Sequence, residues 1–309
     1  MSDAVENPRT RLLAGCPVQE RRLELAGTAS VVLEAGNGPP VLLLHGGIEC
    51  GGVYWAKVIA PLAERHRVVV PDVPGFGESA PFSRMDVAHF DEWFDALLRE
   101  MCREPPLLVA HSMFGSLAAR FAAQTRADTL RGLVIYAAPG VARYRLPLGL
   151  LLTAIRFSIR PSQRNIERFA AWAFVLPDAS RRADRDWFEA LLAYTLARAR
   201  LAHVQRSMRQ LIRIGKMRIP DEELHRISIP TALLWGRHDR MVPLRVAEDA
   251  RAQLGWPLHV VDDVGHVPHV DCPERFLRAL REAFGPAASL DASTAGTSRD
   301  AGMSGPSAT

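Results

Sequence analysis

Residues 105–124, PPLLVAHSMFGSLAARFAAQ, constrain this chain more than any other stretch. Leu107-Leu108-Val109-Ala110 is an apolar run of strand length and reads as a short, fully buried strand. It stops at His111-Ser112-Met113. The residues after it are helical in composition, with small side chains at Gly115, Ser116, Ala118, Ala119, Ala122 and Ala123. A strand that becomes a helix through one serine pushes that hydroxyl out of the sheet, and the first helical turn aims its free N–H groups at the same point. A serine hydroxyl is a weak nucleophile until a base removes its proton, so this layout requires partners further along.

Two strand ends supply them. Thr231–Trp235 runs into Gly236-Arg237-His238-Asp239, and Leu258–Val261 runs into Asp262-Asp263-Val264-Gly265-His266. Each puts a triad-type residue just beyond a strand's carboxyl end, where open α/β sheets hold their ligands. The chain order Ser112, Asp239, His266 is the one expected of a nucleophile elbow and differs from the other serine-hydrolase folds. Asp262 and Asp263 compete with Asp239 for the acid's place, although they sit on the histidine's own strand end. On these residues the chain resembles the α/β-hydrolase superfamily, within the group that carries a lid after the sixth strand. The resemblance implies an α/β-hydrolase fold: a mostly parallel eight-stranded sheet flanked by helices, with a helical cap inserted after strand 6. Residues 18–140 and 221–286 are then the core, 141–220 the cap, and 287–309 a tail whose small, polar residues lack periodicity and read as disordered.

Further site residues come from the same match. Val41–Leu44 is a buried strand ending in His45-Gly46-Gly47-Ile48. The resemblance assigns the N–H groups of Gly47 and Met113 to an oxyanion hole, with His45, Gly46, His111 and Phe114 as supporting residues. Glu49 and Cys50 share the loop and stay unassigned. The elbow itself departs from pattern, because small-x-Ser-x-small becomes Ala110-His111-Ser112-Met113-Phe114, with the glycine displaced to Gly115. A ring at 114 needs space between helix and strand, and overpacking of that kind costs about 1–3 kcal/mol unless its neighbours accommodate it. Gly75-x-Gly77-x-x-Ala80 superficially spells a dinucleotide fingerprint. Pro81 stands where the phosphate-binding helix would begin, which argues for a structural turn.

Composition narrows the partners. The four cysteines lie far apart without metal or redox spacing, as suits a reducing, cytoplasmic location. No apolar run reaches membrane-span length, and the first residues hold no signal-peptide core. The cap segment Val141–Pro220 carries fifteen Arg and one Lys against five acidic residues, a net +11 in a chain of net +4. That asymmetry reads as a solvated basic face, as steering of an anionic substrate, or as contact with an acidic surface. Leu146–Ile159, LPLGLLLTAIRFSI, reads as a lid helix lining an acyl pocket, with a shallow membrane contact as the alternative. Asp186-x-x-Glu189 reads as a capping box.

The expected activity is hydrolysis of a carboxylic ester or lactone of a small-molecule substrate, anionic or acyl. It calls for no cofactor, no metal and no nucleic-acid partner; oligomeric state is open. Serine at the nucleophile position argues against the dehalogenase and epoxide hydrolase branches, which the resemblance links to aspartate there. The alternatives are C–C hydrolysis of a vinylogous diketone acid and a non-catalytic receptor of the same fold. For the former, the Gly-Gly loop and the Ser-Met pair agree, while His111 and Ile48-Glu49-Cys50 depart.

Overall fold

The computed structural model describes residues 7–124, 128–175, 184–215 and 217–285; the expected tail lies outside them. Its strands are β1 (Gln19–Leu25), β2 (Thr28–Ala35), β3 (Pro40–Leu44), β4 (Arg67–Pro71), β5 (Leu107–His111), β6 (Gly132–Tyr136), β7 (Thr231–Gly236) and β8 (Leu258–Val261). They form one eight-stranded sheet in the order β1-β2-β4-β3-β5-β6-β7-β8. β2 runs antiparallel to both β1 and β4, and every other pairing is parallel. The near-continuous Val, Leu and Ile runs of β3, β5, β6 and β7 are buried along their whole length, as parallel strands covered on both faces must be. β1 alternates toward solvent, as befits an edge.

Helices cover the sheet. A short α1 (Pro8–Leu12) precedes it, α2 (Ala56–Ala63) follows β3, α3 (Val87–Met101) follows β4, and α4 (Ser112–Gln124) follows β5. Between β6 and β7 the described residues form the helices α5 (Leu148–Ile159), α6 (Gln163–Ala173), α7 (Arg185–Ala199) and α8 (Ala202–Gly215), then the single turn α9 (Asp221–Leu224). After β7 comes α10 (Arg245–Leu254), and after β8 come the turn α11 (Pro268–Asp271) and α12 (Pro273–Phe284). After Gly75-x-Gly77 no helix starts until Val87, so the apparent dinucleotide fingerprint leads into turns.

Three local features correct or add to the reading of the sequence. Helix α2 starts only at Ala56, because Gly51–Trp55 winds as a 3-10 turn pinned where the Gly52 N–H donates to Asp72 Oδ1 at 2.6 Å. The cap of α7 is Asp184 rather than Asp186; its Oδ1 accepts the Trp187 N–H at 3.3 Å. Pro8–Leu12, read from the sequence as no element, forms α1, which packs on α7. From α1 the buried Arg9 reaches Glu20 at 2.9 Å, Asp72 at 3.4 Å and the Tyr194 hydroxyl at 3.4 Å. Two carboxylates offset the cost of burying that guanidinium, and the contact ties α7 to the sheet.

Candidate active site

Ser112 opens α4 directly after β5, with φ of +53°. For a residue with a Cβ that left-handed conformation is strained by roughly 1–3 kcal/mol, and it is sustained where surrounding structure over-determines it. Here the constraint is visible. A Cβ on Gly115 would meet the Ala110 carbonyl oxygen at 2.6 Å and the Ala138 Cβ at 3.0 Å, so residue 115 supplies the close approach of helix to strand. Phe114 is thereby released from that duty and turns into the core. Its ring meets His45, Phe76 and Phe90 at centroid distances of 5.2, 5.6 and 5.9 Å, in the edge-on and stacked geometries aromatic rings favour. The overpacking expected from the sequence is absorbed by this cluster.

Ser112, Asp239 and His266, separated by up to 154 positions, meet at one rim of the sheet. The Ser112 hydroxyl donates to His266 Nε2 at 3.1 Å, and His266 Nδ1–H donates to Asp239 Oδ2 at 2.7 Å. The other carboxylate oxygen, Oδ1, accepts the N–H groups of Met241 and Val242, each at 2.8 Å. Asp262 and Asp263 point outward to Arg237 and Arg275, which leaves Asp239 as the imidazole's neighbour. His238 is exposed.

The backbone of His266 is held as well as its ring. Its carbonyl accepts from His111 Nε2–H at 3.1 Å and from the Tyr136 hydroxyl at 3.3 Å, and the latter accepts from His269 Nδ1–H at 3.0 Å. Burial drives both His111 and His269 well below the ordinary imidazole range, so both stay neutral. Sequence reasoning missed Tyr136. It ends an apolar strand in register with His111, and a polar tip at that place was the available signal. Tyr144 was missed too; its hydroxyl donates to the Met241 carbonyl at 2.8 Å, anchoring the loop that carries Asp239 to the segment after β6.

His45 is fully buried and fixes the loop after β3. Its Nδ1–H donates to the Gly46 carbonyl at 2.6 Å, and Nε2 accepts the Val73 N–H at 3.0 Å. With both nitrogens committed and water excluded, burial lowers its pKa to about 4. Gly46 lies close enough to His111 that a Cβ would meet the ring at 2.7 Å. Gly47 and Met113 border the same cavity as Ser112 and His266. Met113 is the second residue of its helix, so its N–H has no intrahelical acceptor.

That cavity is overwhelmingly apolar. Ser112 and His266 border it from the sheet's side, and the helices between β6 and β7 contribute Leu150, Phe157, Phe169, Leu191 and Met208 among others. Among the described residues its lining includes no lysine or arginine, and Glu49 is its one acidic side chain. Cys50 is buried beside the cavity, and burial raises its thiol far above the reactive range.

Burial pushes the Glu49 carboxyl up to about 7. The folded state therefore holds this proton through a pH range in which the unfolded chain, at an ordinary 4.5, has released it. The stability contributed by the neutral carboxyl is full below pH 4.5 and is lost as pH rises toward 7, for a total of about 3 kcal/mol. Glu49→Gln removes that dependence. The stability of the variant minus that of the wild type should thus grow by about 3 kcal/mol between pH 4.5 and pH 8 in urea unfolding. A difference that does not change with pH would show that the folded protein carries this carboxyl ionised.

The family model described as the alpha/beta hydrolase fold matches residues 39–273. The chain belongs to this family. As a hydrolase of the α/β fold it is similar to an uncharacterized protein of Mycobacterium tuberculosis, 29% identical over 263 residues, covering 79% of this chain and 74% of that one. It is likewise similar to the pimeloyl-[acyl-carrier protein] methyl ester esterase of Vibrio campbellii, 27% identical over 256 residues, covering 80% and 95%. Among solved structures, the 2-hydroxy-6-oxo-6-phenylhexa-2,4-dienoate hydrolase of Rhodococcus sp. strain RHA1 superposes with a TM-score of 0.76 at 24% identity. That match covers 86% of this chain and 98% of that one. Among the described residues no helix is long and apolar enough to cross a membrane.

Proposed function

We propose that this hydrolase cleaves a carboxylic ester with an apolar acyl group, through Ser112, His266 and Asp239. The observation that carries the reading is the unbroken relay from hydroxyl to imidazole to carboxylate, 3.1 and 2.7 Å long, opening on a cavity lined by hydrocarbon. His266 takes the Ser112 proton as the oxygen attacks the ester carbonyl, and Asp239 stabilises the imidazolium. The N–H groups of Gly47 and Met113 receive the oxyanion; one such donor is worth about 3 kcal/mol in the transition state. His266 then protonates the departing alcohol, and water, activated by the same imidazole, releases the acid. Helices α5 to α8 act as the cap and select the acyl group.

The esterase relative favours this substrate class. The Rhodococcus neighbour keeps C–C hydrolysis of a dienoate as the second reading, but a substrate carboxylate calls for a cation, and the lining includes none among the described residues. Arginines on the insert's outside suit steering or surface contact rather than recognition within the cavity. Lactones share the ester's carbonyl chemistry and stay within the proposal.

A fluorophosphonate probe tests the relay. The wild-type protein should be labelled stoichiometrically at Ser112, and Ser112→Ala should not be labelled at all, as read by intact mass. Equal labelling of the two proteins would remove Ser112 as the nucleophile. A panel of p-nitrophenyl esters, lactones and ring-fission dienoates then separates the substrate classes.

A further inference from the structure

Helix α5 is apolar on two faces that do different things. Leu150, Leu151, Ala154 and Phe157 line the cavity. Leu148, Leu152, Ile155 and Ile159 recur at helical spacing on the other side and are 69, 45, 44 and 79% exposed. An aliphatic stripe of this kind normally marks an interaction site. On α5, on the segment that leads into it and on the adjoining α6, the chain carries Arg143, Arg145, Arg156, Arg160, Arg164 and Arg168, all exposed. Between residues 141 and 173 the sequence offers them a single carboxylate, Glu167, and among the described residues none of the six forms an ion pair.

We infer that this face docks on an anionic lipid surface, with the stripe seated among the outer acyl chains and the arginines on the headgroup phosphates. Charge selects this occupant. A second copy of the chain would oppose six arginines with six more and little negative charge to answer them. The chain's own residues outside those described carry no run of consecutive large apolar side chains that could cover the stripe. An anionic bilayer offers both what the aliphatic residues need and what the guanidiniums need at one interface. The geometry also gives docking a use, since one helix would touch the lipid with one side and roof the cavity with the other.

The binding claim does not depend on the Ser112 chemistry, and full-length Ser112→Ala protein serves to measure it. In vesicle sedimentation, the protein should partition at least about tenfold more strongly onto phosphatidylglycerol-rich vesicles than onto pure phosphatidylcholine. High salt should reduce that binding. Combining Leu152→Ser with Ile159→Ser should weaken it by about tenfold or more, and Arg156→Gln or Arg160→Gln by roughly fivefold each. None of these side chains lines the cavity, so hydrolysis of a short water-soluble ester by the otherwise wild-type enzyme should be unchanged. The inference fails if the protein stays in the supernatant with anionic vesicles at low salt, or if it binds them regardless of both sets of substitutions. It also fails if light scattering finds a dimer that Leu152→Ser and Ile159→Ser disperse, which would give the face to a second copy.

Discussion

Replacing Asp239 with asparagine should lower kcat on an ester substrate by about 10⁴-fold while leaving KM within a few-fold of wild type. The size comes from how this carboxylate is held. Its Oδ1 accepts two backbone N–H groups, from Met241 and Val242, and neither can accept a hydrogen bond in return. An asparagine must keep its carbonyl oxygen on those donors, which turns its NH₂ toward His266 Nδ1. The ring nitrogen then has to accept, the proton moves to Nε2, and Nε2 faces the Ser112 hydroxyl as a donor. The imidazole sits in the same place and is useless as a base. Asp239 is buried behind the ring and does not border the cavity, so substrate binding should scarcely notice the change. Steady-state kinetics, together with the rate of fluorophosphonate labelling, read both halves. If the variant kept a tenth or more of wild-type kcat, the acid would have to be another residue, and Asp262 and Asp263 would return as candidates.

The features legible in the sequence were local or directional. The strand-serine-helix passage, the loops after β7 and β8, and the His-Gly-Gly end of β3 each sit in a few consecutive residues whose chemistry limits what they can form. The sheet could be read from runs such as Val41–Leu44 and Leu133–Ile135, which only a strand covered on both faces uses well. The features that stayed hidden depend on neighbours far away in the chain. Phe114 looked like an obstacle because its hosts, Phe76 and Phe90, lie many positions upstream, and nothing near the elbow announces them. Tyr136 looked like the last residue of a strand until its register beside His111 was known. Glu49 could be placed near the cavity but not assigned a protonation state, which depends on burial. The LPLGLLLTAIRFSI run could be read as a pocket-lining helix, but its second face could not be separated by periodicity: one side lines the cavity and the other faces out, so every turn is apolar.

Gly236→Ala should cost about 10²-fold or more in kcat and about 1–3 kcal/mol in stability, although residue 236 bears no functional group. Gly236 ends β7, three residues before the acid, where two loops cross backbone to backbone. A Cβ there would stand 1.9 Å from the Gly265 carbonyl oxygen and 2.9 Å from that of Val264. Both obstacles are main chain, so no side-chain rotation relieves them. The loops are also stitched at that crossing by Arg237 N–H to the Val261 carbonyl at 2.9 Å and His238 N–H to the Val264 carbonyl at 3.0 Å. An added methyl must therefore push the segment carrying His266 away from the segment carrying Asp239, and these are the two residues joined at 2.7 Å. A displacement of about an ångström in a proton relay is enough for a loss of that order. The variant should still fold, seen as a retained far-UV spectrum with a lowered Tm. Wild-type turnover in a folded Gly236→Ala protein would mean that the crossing does not set the distance between the carboxylate and the imidazole.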